Sequence, residues 1–257
     1  MRRLFAYLPC YNEEENIVEL SRLWDAERES LQKKSIELCI CAIDDKSTDG
    51  TLNVISGLEK TFNNYIVIAH KMNKGLGGAL RTGIQHFLTH AKEGDFCAFM
   101  DGDNTHKPEY IHDMLDKIHN GTECVIASRY RKGAKILGLA YHRLLLSDLA
   151  KVYYSIIFHI PNVRDYTCGY RLYSFKCMHR VAEKFGDQLI TQRSFSCMME
   201  LLYKLYCTGC QFDEIPFVLH YDNKKGESKM SVFKTIKDSI FTAIRLRFNK
   251  WSDDDGF

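Results

Sequence analysis

Met100-Asp101-Gly102-Asp103-Asn104 closes the apolar run Phe96-Cys97-Ala98-Phe99 with two carboxylates one residue apart. Successive side chains of a strand point to opposite faces, so Asp101 and Asp103 share a face if the strand continues. Clustered carboxylates repel unless a cation lies between them, and hard oxygen ligands suit Mg²⁺ or Mn²⁺. Gly102 leaves room for a ligand to approach the backbone. This pattern can build a metal site that holds a diphosphate at the end of a buried strand. The same residues also suit an ordinary polar turn, because Asp-Gly and Asp-Asn are common there. Other polar clusters gathering at the same place would separate the two readings.

The elements that position these residues follow from the hydrophobic pattern. Leu4–Leu8 reads as a strand stopped by Pro9, and Asn12-Glu13-Glu14-Glu15-Asn16 opens a helix with Asn12 as its N-cap. Ile36–Ile43 is apolar almost throughout, as in a parallel strand covered on both faces, and ends in Asp44-Asp45-Lys46-Ser47-Thr48-Asp49-Gly50-Thr51. Tyr65–Ala69, Phe96–Met100 and Cys124–Ser128 are further strands, with helical stretches between them. The alternation predicts an α/β fold with a mostly parallel sheet. Ligands bind such sheets beyond the carboxyl ends of the strands. The Pro9–Glu13 turn, Asp44/Asp45 and Asp101/Asp103 all fall at such ends, which favours a site over three unrelated turns.

The second half changes character. Ile136–Ile160 reads as a helix packed in the protein or against a bilayer surface, and Asp165–Leu172 as a loop entering a strand. Phe195–Tyr206 is helical and carries Glu200 among apolar neighbours, where a carboxylate is costly to bury without a partner. Gln211–Tyr221 reads as one strand. The pattern predicts a catalytic domain over residues 1–221, then a mobile basic loop and an amphipathic helix over 222–257. Eight Lys and Arg oppose three Asp and Glu between Asp222 and Trp251, and Phe233, Ile236, Ile240, Ile244 and Phe248 recur at helical spacing. Such a helix can lie on anionic lipid, or pack on the main domain or a second copy.

A net charge of +2 excludes general affinity for nucleic acid. Ten cysteines scattered through apolar runs imply a reducing compartment, and Cys207-Thr-Gly-Cys210, lacking a second pair, reads as structural. Met1-Arg2-Arg3 leads straight into a strand rather than a leader, and no window reaches the ~20 apolar residues of a membrane span. The expectation is a cytoplasmic protein, peripheral at the cytoplasmic face of a membrane.

In this order, Pro9-Cys10-Tyr11-Asn12-Glu13, Asp44 to Thr51 and Asp101-Gly102-Asp103 resemble family 2 glycosyltransferases with the GT-A fold. Ser128-Arg129-Tyr130, Arg143 with Ser147, Asp165-Tyr166-Thr167-Cys168-Gly169-Tyr170-Arg171 and Gly226-Glu227-Ser228-Lys229 resemble the dolichol- or polyprenol-phosphate mannosyltransferase branch. The resemblance implies an inverting enzyme that moves a sugar from a nucleotide-diphosphate sugar to a polyprenyl phosphate. It implies that Pro9, Tyr11, Glu13, Asp44, Asp45, Lys74, Gly75 and Gly102 bind the nucleotide sugar. Asp101 and Asp103 would hold Mg²⁺ or Mn²⁺. Arg129, Arg143, Ser147, Arg171 and Lys229 would surround the diphosphate and the acceptor phosphate, with Arg129, Arg143, Asp165 and Glu200 as further catalytic candidates. Guanidinium groups suit that task because they match phosphate oxygens bidentately. The chain departs from the branch at Gly102 and Thr105, where alanine and glutamine are usual, and at Asn223, often an arginine.

Other readings weigh less. Gly75-Leu76-Gly77-Gly78 lacks the spacing of a dinucleotide loop. The histidines His70, His86, His90, His106, His112 and His119 lack metalloprotease spacing; only His106, beside the aspartate pair, reads as close to substrate, and most read as surface or helix-face residues. A glycan, lipid or protein hydroxyl is an alternative acceptor, and would need Asp165 or Glu200 as a base. A non-catalytic nucleotide-sugar-binding subunit is the remaining alternative. A membrane-anchoring partner protein or a homo-oligomer is compatible with each.

Overall fold

The computed structural model describes residues 1–118, 121–223 and 232–248, without the side chains of 142, 143, 223 and 232–239. The chain runs through β1 (Arg2–Cys10), α1 (Ile17–Ala26), α2 (Arg28–Lys33), β2 (Ile36–Asp44), α3 (Thr51–Glu59), β3 (Tyr65–Ala69), α4 (Gly75–His90) and β4 (Phe96–Phe99). It continues with α5 (Ile111–Ile118), β5 (Cys124–Ser128), β6 (Lys135–Leu137), α6 (Tyr141–Phe158), β7 (Arg171–Ser174) and α7 (Phe175–Phe185). The remainder comprises α8 (Ser196–Cys207), β8 (Phe212–Pro216), β9 (Val218–His220) and α9 (Val232–Phe248).

Among the described residues seven strands form one sheet in the order β3-β2-β1-β4-β7-β5-β8. All neighbours are parallel except β7, which runs against both β4 and β5. The expected mostly parallel α/β sheet is the observed one. The reversed β7 has a local consequence. Phe99 pairs with Arg171, so the segment preceding β7 reaches the same rim as the residues following β4.

β1, β2, β4 and β5 are buried nearly throughout, because helices cover both faces of the sheet. Each fully buried Leu or Ile there contributes roughly 1.5–3 kcal/mol. Tyr7 and Phe99 stack with centroids 4.9 Å apart across β1 and β4.

Two boundaries differ from expectation. The stretch from Ile136 first forms β6, and the helix starts only at Tyr141. Gln211–Tyr221 divides at Pro216–Phe217: β8 completes the main sheet, while β9 pairs with β6 in a separate ribbon. Proline at the end of β8 cannot donate to a continuing ladder. All ten cysteines are free and, apart from the half-buried Cys207, buried. No helix among the described residues is long and apolar enough to cross a membrane.

Candidate active site

The rim begins where β1 leaves the sheet. Asn12 has φ 56°, and its side chain accepts from Thr48 N at 2.7 Å while its own N–H donates to Ser47 Oγ at 3.0 Å. It therefore ties the first turn to the segment after β2 rather than capping a helix; α1 starts at Ile17. Glu13 N donates to Thr51 Oγ1 at 2.8 Å, and the buried Glu13 carboxylate accepts from Asn16 Nδ2 at 2.8 Å. Tyr11 is exposed beside them and Pro9 is half-buried.

Asp44 and Asp45 are both buried. Asp44 accepts from Ser47 N at 3.3 Å. The Asp45 carboxylate receives Lys74 N on Oδ1 (2.8 Å) and Gly75 N on Oδ2 (2.7 Å), thereby capping the first turn of α4. Gly75 has φ 74°, and a Cβ there would lie 2.5 Å from the Arg193 carbonyl oxygen.

Gly102 packs on the same turn, since its Cβ would meet Pro9 O at 2.8 Å. Asp101 and Asp103 on either side are half-exposed. Asp103 Oδ1 accepts from Thr105 Oγ1 at 2.7 Å. Thr105 thus orients the acid from the position where the resembling branch carries glutamine. His106 stacks on Phe217 at 5.1 Å, and burial pushes its pKa down to about 4 against partial compensation from Asp103 and Asp165.

Arg129 leaves the end of β5. Its N–H and Nε donate to Asp165 Oδ2 at 3.0 and 2.8 Å, and its Nη2 donates to Asp165 Oδ1 and to Thr167 Oγ1 at 2.6 Å each. Thr167 N and Cys168 N also donate to Asp165 Oδ1. Burial disfavours both charges, but their attraction outweighs it, holding Arg129 above its ordinary range and Asp165 below. Asp165 is fully buried, so the structure places it beneath the arginine rather than in an open cleft. Tyr130 then links β5 to α6: its hydroxyl donates to Ser147 O at 2.9 Å, and Lys151 Nζ lies 4.5 Å from its ring centroid.

The remaining candidates lie deeper. Arg171 is fully buried and donates to the carbonyls of Met198 (2.6 Å) and Tyr166 (2.8 Å). Glu200 is also fully buried. It accepts from Thr191 N, Gln192 N, Thr191 Oγ1 and Lys204 Nζ, at 2.6 to 2.9 Å. That carboxylate organises residues 191–193, a segment that sequence reading left without a role. From it Arg193 donates to Asn73 O at 2.8 Å, and Gly77 N donates back to Arg193 O at 3.1 Å. Arg193 therefore lies at the Lys74–Gly75 edge; no local motif marks it, because its neighbours come from a segment more than a hundred residues away. The Arg143 side chain and all of Lys229 lie outside the described residues.

No group of three or more His, Cys, Asp or Glu among the described residues can hold a metal ion on its own. The Asp101/Asp103 pair supplies two hard oxygen donors, which fits Mg²⁺ or Mn²⁺ completing their shells with donor phosphates and water.

A model of glycosyl transferase family 2 matches residues 6–183, well over half of the chain. The chain belongs to glycosyl transferase family 2. It is 27% identical over 242 residues to the polyprenol monophosphomannose synthase of Mycolicibacterium smegmatis, covering 93% of this chain and 85% of that protein. It is 31% identical over 249 residues to the dolichol-phosphate mannosyltransferase of Pyrococcus furiosus, covering 96% of this chain and 64% of that longer protein. Among solved structures, TarS 1–349 of S. aureus shares the fold with TM-score 0.58 at 17% identity, over 95% of this chain and 66% of that one. The mannosyltransferase PcManGT of Pyrobaculum calidifontis, in complex with GDP-Man and Mn²⁺, gives TM-score 0.56 at 14% identity, over 97% and 71% of the two chains. As a member of this family the chain is a glycosyltransferase with the expected GT-A fold.

Proposed function

We propose that this glycosyltransferase moves a sugar, with inversion, from a nucleoside diphosphate donor to a polyprenyl phosphate at the cytoplasmic face of a membrane. The carrying observation is the link between a phosphate-matching cation and an apolar surface. Arg129, clamped by Asp165 and Thr167, adjoins Tyr130, and Tyr130 is bonded to α6. Tyr141, Leu145, Leu149, Val152 and Ile156 form an outward stripe along α6, each between 47% and 74% exposed. α9 packs beside it, with Tyr153 Oη donating to Ile240 O at 3.0 Å, and adds exposed Phe241, Ile244 and Phe248. Exposed Arg245 and Arg247 flank these apolar residues. A contiguous apolar patch rimmed by cations suits the headgroup region of an anionic bilayer. The names of the two mannosyltransferase relatives support the same acceptor class.

Within this reading Tyr11, Glu13, Asp45 and the Lys74–Gly75 turn receive the nucleoside, while Asp101 and Asp103 face the diphosphate. Gly102 between them makes room for the Pro9 carbonyl rather than for the ligand expected there. A bound Mg²⁺ or Mn²⁺ would neutralise charge on the departing diphosphate. Arg129 holds the acceptor phosphate, whose oxygen is already anionic near neutral pH and attacks without a general base. Asp165, fully engaged by five donors, serves to aim Arg129. Glu200 holds the 191–193 segment. The test is incubation with GDP- and UDP-sugars, Mn²⁺ and polyprenyl phosphate in anionic vesicles, with a lipid-linked sugar as the expected product. Absence of product from every donor, or transfer to a hydroxyl instead, overturns the proposal.

A further inference from the structure

His70 follows β3 directly and is buried, although nothing local in the sequence demands it. Its backbone N–H donates to Asp44 O at 2.9 Å, prolonging the pairing of β3 with β2. Its ring spans two elements. Nδ1 lies 2.7 Å from Asp45 Oδ1, and Nε2 lies 2.9 Å from Thr82 Oγ1 on α4. The carboxylate oxygen accepts, so the His70 Nδ1–H is the donor to Asp45, and Nε2 pairs with the Thr82 hydroxyl.

The bridge matters because Asp45 closes the 70–75 turn on itself. Its carboxylate takes Lys74 N and Gly75 N, and its backbone carbonyl takes Asn73 Nδ2 at 3.0 Å. His70 and Lys74 share Oδ1, whereas Oδ2 receives Gly75 N, an arrangement that leaves Oδ2 with acceptor capacity. Without the imidazole, Asp45 Oδ1 keeps only Lys74 N, and the turn loses its tie to the second turn of α4. We infer that His70 is a positioning residue of the donor site, holding Asp45 between β2 and α4 so that its second oxygen and the 70–75 turn receive the nucleoside. The inference rests on the reading of Asp45 as a nucleoside contact.

Calorimetry with Mn²⁺ and two probes tests it: a nucleoside diphosphate (GDP and UDP in turn) and inorganic pyrophosphate, which lacks the nucleoside. H70A is expected to weaken nucleoside diphosphate binding about tenfold, the scale of one lost hydrogen bond to a charged group, with pyrophosphate binding within twofold of the parent. H70N keeps a donor near the position of Nδ1 and is expected to restore binding to within about threefold; H70Q, whose longer chain reaches toward Thr82 instead, is not. T82V, which removes only the hydroxyl, is expected to give an intermediate loss and serves where H70A does not fold. Equal weakening of both probes, or H70Q rescuing as well as H70N, overturns the inference in favour of a merely structural histidine. D45N separates the two claims. If D45N binds the nucleoside diphosphate like the parent, the reading of Asp45 fails; if D45N loses binding and H70A does not, the role of His70 fails alone.

Discussion

Gly169 stands directly over the carboxylate of Asp101. A Cβ on Gly169 would lie 2.7 Å from both Asp101 oxygens, closer than packed atoms approach. Because β7 runs antiparallel to β4, the loop before β7 arrives at the level of the residues after β4, and only glycine leaves the acid its place. G169A is therefore expected to displace Asp101 and weaken Mn²⁺-dependent binding of a nucleoside diphosphate at least tenfold. Asp101 is half-exposed and can yield, so the melting temperature should fall by only a few degrees. Calorimetric titration together with thermal melting checks both parts.

Thr105 orients Asp103 through a 2.7 Å hydrogen bond. Groups that orient a metal ligand are commonly worth 10- to 100-fold in metal affinity. T105V, which keeps shape and removes the donor, should raise the Mn²⁺ concentration needed for nucleotide binding by about tenfold. D103A should abolish the metal dependence altogether. Mn²⁺ titrations at fixed GDP or UDP distinguish the two variants.

Glu200 and Lys204 form a buried pair at 2.7 Å, and Lys204 also donates to the carbonyls of Gln188 and Leu189. Burial lowers the Lys204 pKa and Glu200 counteracts that shift. Removing one partner strands the other charge, so E200A should cost about 3–5 kcal/mol in urea unfolding. E200A/K204M should recover much of that loss. If E200A instead unfolded like the parent while losing turnover, a direct part in the reaction would replace the structural one.

The imidazole of His106 is neutral when buried, with a pKa near 4 against 6.5 for the free side chain. A lowered folded pKa means the unfolded chain binds the extra proton first, so stability is fully present above pH 6.5 and declines towards pH 4. The decline amounts to about 3 kcal/mol across that window if no other group intervenes. Denaturant unfolding between pH 7 and pH 4, with metal chelated, should show a flatter pH profile in H106N than in the parent.

Leu149 and Ile156 lie on the exposed stripe of α6 and contribute little to the core. L149E/I156E should change unfolding stability by no more than about 1 kcal/mol and leave nucleotide binding intact. Binding to anionic vesicles should fall about a hundredfold, since two apolar anchors become charges. Vesicle co-sedimentation measures it.

The strand-end acids and the α/β alternation were legible in the chain because both are local: near-continuous apolar runs mark β1, β2 and β4, and a polar residue ending such a run lies at the rim. The family motifs named Arg129, Asp165 and Glu200 as a set, but local pattern carries no information on which oxygen meets which donor. Only the folded chain shows Asp165 under Arg129 and Glu200 gripping Thr191 and Gln192, since those contacts join separate elements, whereas the Glu200–Lys204 pair is a local one within α8. His70 stands among the histidines that read as mostly surface or helix-face; its ring is instead tied to Asp45 and Thr82, 25 and 12 residues away. The apolar richness of Ile136–Ile160 was likewise visible, whereas which face of α6 is covered was decided by Tyr166 and Tyr203, which pack on Tyr154 and Phe158. Short-range chemistry was thus written in residue order, and long-range pairing was decided by the closure of the sheet.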